Sequence, residues 1–211
     1  MVEKIAKERH KLELGFQALA DNLGDVPIAS NILMPYGWRK AKKGRTVWRI
    51  LEEIISQNLE KDAKKYGFHK VIPATSEVGV FDFIVYLDEE TKCYVNIKSS
   101  VKGGRTNKDD ISKAPKLIEY YKNHVESLFV ATFIIDFKKD MTIDVERAIV
   151  MPVSWIPDVY VNPSNNGNLQ SSKYKNLDVA IKRTNSEFLQ LLVQELIIAD
   201  EKRKRKRDKV E

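Results

Sequence analysis

Asp82 stands in an otherwise apolar run from Val80 to Leu87, and a second such run fourteen residues on carries Asn96, Ile97 and Lys98. An ionised carboxylate in such surroundings is expensive unless it is paired or holds a metal ion. Hydrolysis of a phosphodiester calls for a divalent cation on oxygen ligands, an activated water, and positive charge on the developing phosphorane. A carboxylate, a main-chain carbonyl and a lysine at adjacent strand positions supply those parts at short range. The plainer alternative is that Asp82 and Lys98 form an ordinary cross-strand ion pair with no chemistry attached.

Two strands must carry these residues. Side chains alternate faces along a strand, so in a strand over 92–99 Asn96 and Lys98 share one face. In a strand over 78–87, Asp82 shares a face with Ile84 and Tyr86, while Phe81, Phe83, Val85 and Leu87 fill the core. Residues 87–91 are polar enough to join the two as a hairpin. Upstream, the spacing of Val47, Leu51, Ile54, Ile55 and Leu59 predicts a helix over about 45–66, closed by Gly67. At 100° per residue, Glu52 borders that apolar stripe and Glu53 lies well outside it. An amphipathic helix over 3–22 and a loop through Pro27, Pro35 and Gly37 come before. Downstream the pattern predicts a helix over 110–126, a strand over 127–137, a turn at Lys138-Lys139-Asp140 and a strand over 142–152. A long loop over 162–175, rich in Asn, Ser and Gly, leads to a final helix that starts at Ser186, with Glu187 behind it. With no internal repeat or linker, this order predicts one α/β or α+β domain over 1–211, a mixed central sheet flanked by helices. Residues 1–44 and 186–211 are its extensions.

The residue pattern resembles the PD-(D/E)xK nuclease family, found in many type II restriction enzymes. That family places an acid on one strand and acid-x-lysine on the next. In this chain the pattern reads Val80-Phe81-Asp82, then Asn96-Ile97-Lys98-Ser99-Ser100, and the resemblance covers roughly the middle half of the sequence. It implies a restriction-endonuclease-like core in which Mg²⁺ is held by Asp82, the Ile97 carbonyl and a further carboxylate. Lys98 would polarise the attacking water or the scissile phosphate. The chain departs from the pattern twice, with Phe81 in place of proline and Asn96 at the position of the second acid. Restriction enzymes with such an Asn-Ile-Lys step recover a carboxylate from a nearby helix. Glu52 is the first candidate, Glu53 the second, and Glu77, just upstream of Asp82, the third.

The charge distribution points to a polyanionic partner. The formal charge is +6, yet residues 38–49 alone hold Arg39, Lys40, Lys42, Lys43, Arg45 and Arg49 with no acid, and residues 201–211 carry a net +4, leaving −4 for the rest. Such patches suit phosphate contacts and counterion release, although the C-terminal run also reads as a solvated helix end. Lys102, Gly103, Gly104, Arg105, Asn107 and Lys108 follow the catalytic strand directly, where glycines let backbone approach a phosphate chain; a plain solvated turn is the alternative. Asn165, Asn168 and Gln170, with Ser171 and Ser172, suit base-edge readout or a mobile surface loop. The apolar cluster Ile32-Leu33-Met34 suits core burial or, at Met34, a wedge between base steps.

The remaining composition narrows the class. Hydrophobic residues make up 43% of the 211, which suits a folded chain. The single Cys93 excludes a disulfide framework and a cysteine zinc site and suggests a reducing compartment. The N-terminus lacks the order of a signal peptide, and no apolar stretch approaches the roughly 20 residues of a membrane span; a cytoplasmic protein is expected. His10, His69 and His124 are scattered and read as structural, and no P-loop, Rossmann glycine pattern or HExxH step occurs.

These readings converge on a homodimeric, Mg²⁺-dependent endonuclease acting on double-stranded DNA, its symmetry matching a palindromic site, with 5′-phosphate ends. Similarity to a small restriction enzyme that intercalates a methionine implies blunt cutting at CGCG. A structure-specific nuclease such as a junction resolvase and a non-catalytic basic DNA-binding module are the alternatives.

Overall fold

The computed structural model describes residues 1–39, 45–75, 79–104, 107–164 and 167–208, apart from the side chains of Arg45 and Thr46. Helix α1 (Val2–Leu23) buries Ile5, Leu12, Phe16 and Leu19 at helical spacing. A three-residue strand β1 (Asp25–Pro27) follows, too short for any sequence periodicity to announce it. Helix α2 (Arg45–Asp62) continues as a 3₁₀ turn over Ala63–Tyr66 and ends at Gly67, whose φ of 79° is the left-handed conformation that closes helices. Val47, Leu51, Ile55 and Leu59 form its buried stripe.

The site-bearing strands come next: β2 (Lys70–Pro73), β3 (Phe83–Tyr86) and β4 (Lys92–Val101). β3 and β4 pair antiparallel as the polar connection predicts, and β2 adds to the outer edge of β3. The predicted strand over 78–87 is shorter than expected, and Asp82 lies just ahead of it. The helix expected from Asp110 also begins later. Residues Asp109–Lys113 form strand β5, and α3 spans Ala114–Asn123, with Pro115 in its first turn. Proline has no N–H to give and is tolerated only there, so the helix cannot extend back through it.

Strand β6 (Leu128–Phe137) is nearly all buried, parallel to β4 and antiparallel to β7 (Thr142–Pro152). A strand flanked on both edges and covered on both faces reads as one continuous apolar run. The six-stranded mixed sheet has the order β1-β7-β6-β4-β3-β2. Strands β8 (Tyr160–Val161) and β9 (Asn168–Ser171) join β5 in a separate small sheet. The predicted loop over 162–175 is thus interrupted by a strand, because β5 offers its backbone a partner. Helix α4 (Asn185–Arg207) closes the chain, its N-terminus set by a reciprocal capping box between Thr184 and Glu187.

Helices cover both faces, which makes this an α+β fold with a mixed central sheet. On one face Phe16 of α1 meets Phe133 of β6 at 5.9 Å between ring centroids. On the other, Tyr120 of α3 meets Tyr94 of β4 at 5.3 Å, and Tyr121 meets Phe188 of α4 at 5.4 Å. Among the described residues, no helix is long and apolar enough to cross a membrane. Cys93 is free and buried in this core, which pushes its thiol pKa up.

Gly15 marks where α1 meets the chain beyond α2. A Cβ there would lie 2.3 Å from the Phe68 ring and 2.6 Å from the Tyr66 carbonyl oxygen. Gly15→Ala would gain about 1 kcal/mol of helix propensity, but overpacking against backbone costs about 1–3 kcal/mol or more. A net loss of roughly 2 kcal/mol lowers the melting temperature by about 4–8 °C. An unchanged or raised melting temperature would show that α1 is free to shift.

Candidate active site

The ladder between β3 and β4 ends at the pair Phe83 and Val95, while β4 runs on to Val101. Past that point, among the described residues, the β3-side edge of β4 has no strand beside it. Asp82 fills the opening. Its N–H donates to the Val95 carbonyl at 2.8 Å and its carbonyl accepts from Ala74 N–H at 2.8 Å. Its carboxylate oxygen Oδ2 accepts the Ile97 N–H at 2.6 Å. The N–H and C=O of one strand residue face the same edge, so the Ile97 carbonyl opens toward the space where Asp82 stands.

Glu52 reaches this space from α2. It is half-buried, whereas Glu53 is exposed and accepts a bond from Gln57 Nε2 at 2.8 Å. Glu52, Asp82, Ile97 and Arg49 line one cleft of about 540 Å³. Burial pushes the Glu52 carboxyl up to about 7, the Asp82 charge pushes it the same way, and Lys98 and Arg49 oppose them. Asp82 is open to the cleft, but the protein crowding its carboxylate still raises its pKa, against the Ile97 N–H bond and Lys98.

Lys98 is half-buried on the same face of β4 as Asn96 and Ser100. Its ammonium is pushed below the usual lysine range by burial, against the attraction of Glu52, Asp82, Asp109 and Asp110. The ordinary cross-strand ion pair does not form. The Asp82 carboxylate is engaged by Ile97 N–H, and among the described residues Lys98 makes no ion pair within 4.0 Å. Asn96 is half-buried beside these groups, across the sheet from Val130.

The donor set suits a hard divalent cation. Two carboxylates share one cleft, where the Asp82 charge helps to raise the Glu52 pKa, and a carbonyl opens on the same strand edge; oxygen ligands of this kind are what Mg²⁺ takes. Among the described residues no cluster of three or more His, Cys, Asp or Glu side chains is placed to hold a metal ion. Glu77, the third candidate carboxylate, lies outside the described residues.

The residues expected to touch DNA are described only in part. Lys40, Lys42, Lys43, Arg105 and Asn165 lie outside the described residues. Arg45 opens α2, and Arg39 packs its guanidinium over the Tyr36 ring at 4.2 Å. Lys102 is paired with Glu146 at 2.7 Å, Lys108 sits over the Tyr160 ring at 3.9 Å, and Asn107 is exposed. Ser99 and Ser100 are half-buried at the end of β4. The apolar loop divides: Met34 packs half-buried against the core, while Ile32 and Leu33 are 91% and 78% exposed. Asn168 and Gln170 belong to β9, not to a free loop. Gln170 donates to Asp110 at 2.6 Å and accepts from Asn162 at 3.1 Å, so its amide already has partners.

Sequence reasoning passed over Arg49 as a neighbour of the site, although its three-residue spacing before Glu52 places it one helical turn away. It also missed Asp109 and Asp110, whose charges act on Lys98 from β5, a strand of the separate small sheet.

No family model and no curated protein matches the sequence. The fold is similar to that of Hjc, a Holliday junction resolvase from the archaeal hyperthermophile Archaeoglobus fulgidus, at 12% identity and a TM-score of 0.36 over 62% of this chain and 96% of that one. It is also similar to the NlaIV restriction endonuclease, at 14% identity and a TM-score of 0.41, over 62% of this chain and 54% of that one. The match to NlaIV therefore takes in about half of that protein's length.

Proposed function

We propose that this chain is a metal-dependent endonuclease that cuts double-stranded DNA at a specific palindromic site as a homodimer. The observation that supports it is the strand edge itself: Asp82 bonded to Ile97 N–H at 2.6 Å, with Glu52 in the same cleft and Lys98 without an ion pair among the described residues. A carboxylate held in that way keeps its second oxygen, Oδ1, for a cation. Asp82, Glu52 and the Ile97 carbonyl would hold Mg²⁺, which when bound polarises the phosphoryl oxygen and acidifies a water molecule. Lys98, lacking a counter-ion of its own, would place its ammonium against the charge that develops on the phosphate. Asn96 cannot supply a negative charge; its amide would orient water or phosphate by hydrogen bonds. Arg39, Lys40, Lys42, Lys43 and Arg45 would contact the DNA backbone, with the exposed Ile32-Leu33 tip as the apolar wedge.

Supercoiled plasmid incubated with the protein and Mg²⁺, followed by sequencing of the ends, tests this reading. Discrete fragments with one common end sequence are expected, and flush 5′-phosphate ends at CGCG are the most specific form of that result. Lys98→Ala should slow cleavage roughly 10²–10³-fold, the effect of removing one donor from a site of developing charge. Commitment of the Gln170 amide to internal bonds favours, as a second reading, cleavage that follows DNA structure; cutting confined to branched substrates would establish it. If the parent protein binds DNA but never cuts it, and Lys98→Ala binds equally well, the chain is a binding module.

A further inference from the structure

Two residues beyond Lys98 on the same face of β4, Ser100 Oγ accepts a hydrogen bond from the Lys175 ammonium at 2.7 Å. Lys175 follows β9 and is held by its neighbours. Tyr174 is 2% exposed and donates its hydroxyl to Asp109 at 2.9 Å. Asp158 accepts from the Ser172 N–H at 2.8 Å and from its hydroxyl at 2.9 Å. Among the described residues no carboxylate pairs with Lys175 within 4.0 Å. Its stem is half-buried, and its ammonium rests on the Ser100 hydroxyl with the Tyr174 ring centroid 5.6 Å away. Ordering a flexible lysine costs conformational entropy, and an arriving anion is what would use the result.

Arg147 supplies a second such charge. Ser100 aligns with Ile134 across β4 and β6, and Ile134 aligns with Arg147 across β6 and β7, so the three side chains emerge on one face. Arg147 is exposed and, among the described residues, makes no ion pair. Together with Lys175, Lys102 and Gly103 these residues line a groove of about 440 Å³. Glu146 engages Lys102 at 2.7 Å, which leaves Lys175 and Arg147 as the charges open to a ligand. Two strand residues advance about 6.6 Å, comparable to the separation of successive phosphates along a nucleic-acid strand.

We propose that Lys175, seated on Ser100, and Arg147 form a phosphate subsite that grips the DNA strand one nucleotide from the phosphate addressed by Lys98. This rests on the reading of Lys98 given above. The probe is a fluorescent duplex of about 30 base pairs and mixed sequence, bound in magnesium-free buffer across a range of salt. Each phosphate contact contributes about 0.9 to the slope of log affinity against log salt. Lys175→Met keeps the buried stem and removes the charge; it should weaken binding about 5- to 10-fold and reduce the slope by about 0.9. Arg147→Ala should do the same, and Lys175→Arg should retain the parental slope. A purely structural lysine would lower the melting temperature and leave the slope alone. An unchanged slope in a folded Lys175→Met protein overturns the subsite, and should that variant not fold, an unchanged slope in Arg147→Ala does so. A parent that cuts DNA while these variants keep its slope overturns the subsite alone. A parent that never cuts, with variants that lose slope, overturns the metal site and keeps the subsite.

Discussion

Asp82→Asn is expected to remove DNA cleavage, by about 10³-fold or more, while binding stays within a few-fold of the parent. The asparagine oxygen can still accept the Ile97 N–H that Asp82 now accepts at 2.6 Å, so the strand edge keeps its partner. What disappears is the negative charge that a divalent cation requires, and with it several kcal/mol of transition-state stabilisation, each 1.36 kcal/mol being a factor of ten in rate. Asp82→Ala is the harsher variant. It also leaves the Ile97 N–H without its acceptor, at about 1–3 kcal/mol of stability. Comparing the two by melting temperature and by Mg²⁺-dependent cleavage separates the chemical role from the structural one. Substantial cutting by either variant would remove Asp82 from the metal site.

Glu52→Gln should have the second largest effect, and an unusual one: lost cleavage with gained stability. In the metal-free protein the Glu52 carboxyl titrates at about 7, raised first by burial and then by Asp82, whereas in the unfolded chain it returns to 4.5. Between these values the folded state holds a proton that the unfolded state has released, so stability falls as pH rises from about 4.5 to about 7. Glutamine never ionises and escapes that loss. The variant should therefore melt above the parent near pH 8 without metal, and the difference should shrink toward pH 5. Cation binding requires the ionised carboxylate, so parental cleavage at low Mg²⁺ should show an acid limb near pH 7, and added Mg²⁺ should move it to lower pH. A limb indifferent to Mg²⁺, or a Glu52→Gln protein that still cuts, excludes Glu52 as a ligand and redirects attention to Glu53 or Glu77.

Much of the frame was legible because its signals are local. The stripe on α2 placed Glu52 at its border and Glu53 outside, and burial follows that division. The run over β6 and the Lys138-Lys139-Asp140 turn marked the strands on either side nearly to the residue. Misreadings arose where a partner far along the chain decided the outcome. Residues 109–113 carry helix-compatible side chains, but β9 supplies a strand partner and Pro115 blocks the helix from behind. Met34 and Ile32 are both apolar loop residues, and only the core beneath the loop decides that one packs inward and the other does not.

By itself, the sequence determined the residue types along β4 and which of them share a face. Alternation along β4 puts Lys98, Asn96 and Ser100 on one face, because side-chain direction in a strand is set by the backbone. Tertiary structure decided who meets whom. β3 stops at Phe83, so the Ile97 edge stays open and Asp82 turns into it. The same packing brings Glu52, thirty residues earlier, to that edge and Lys175, 75 residues after Ser100, to the next position along the strand. Such meetings depend on where strands end and which faces the helices cover. Those are properties of the whole packed chain and leave no trace in the spacing of a local motif.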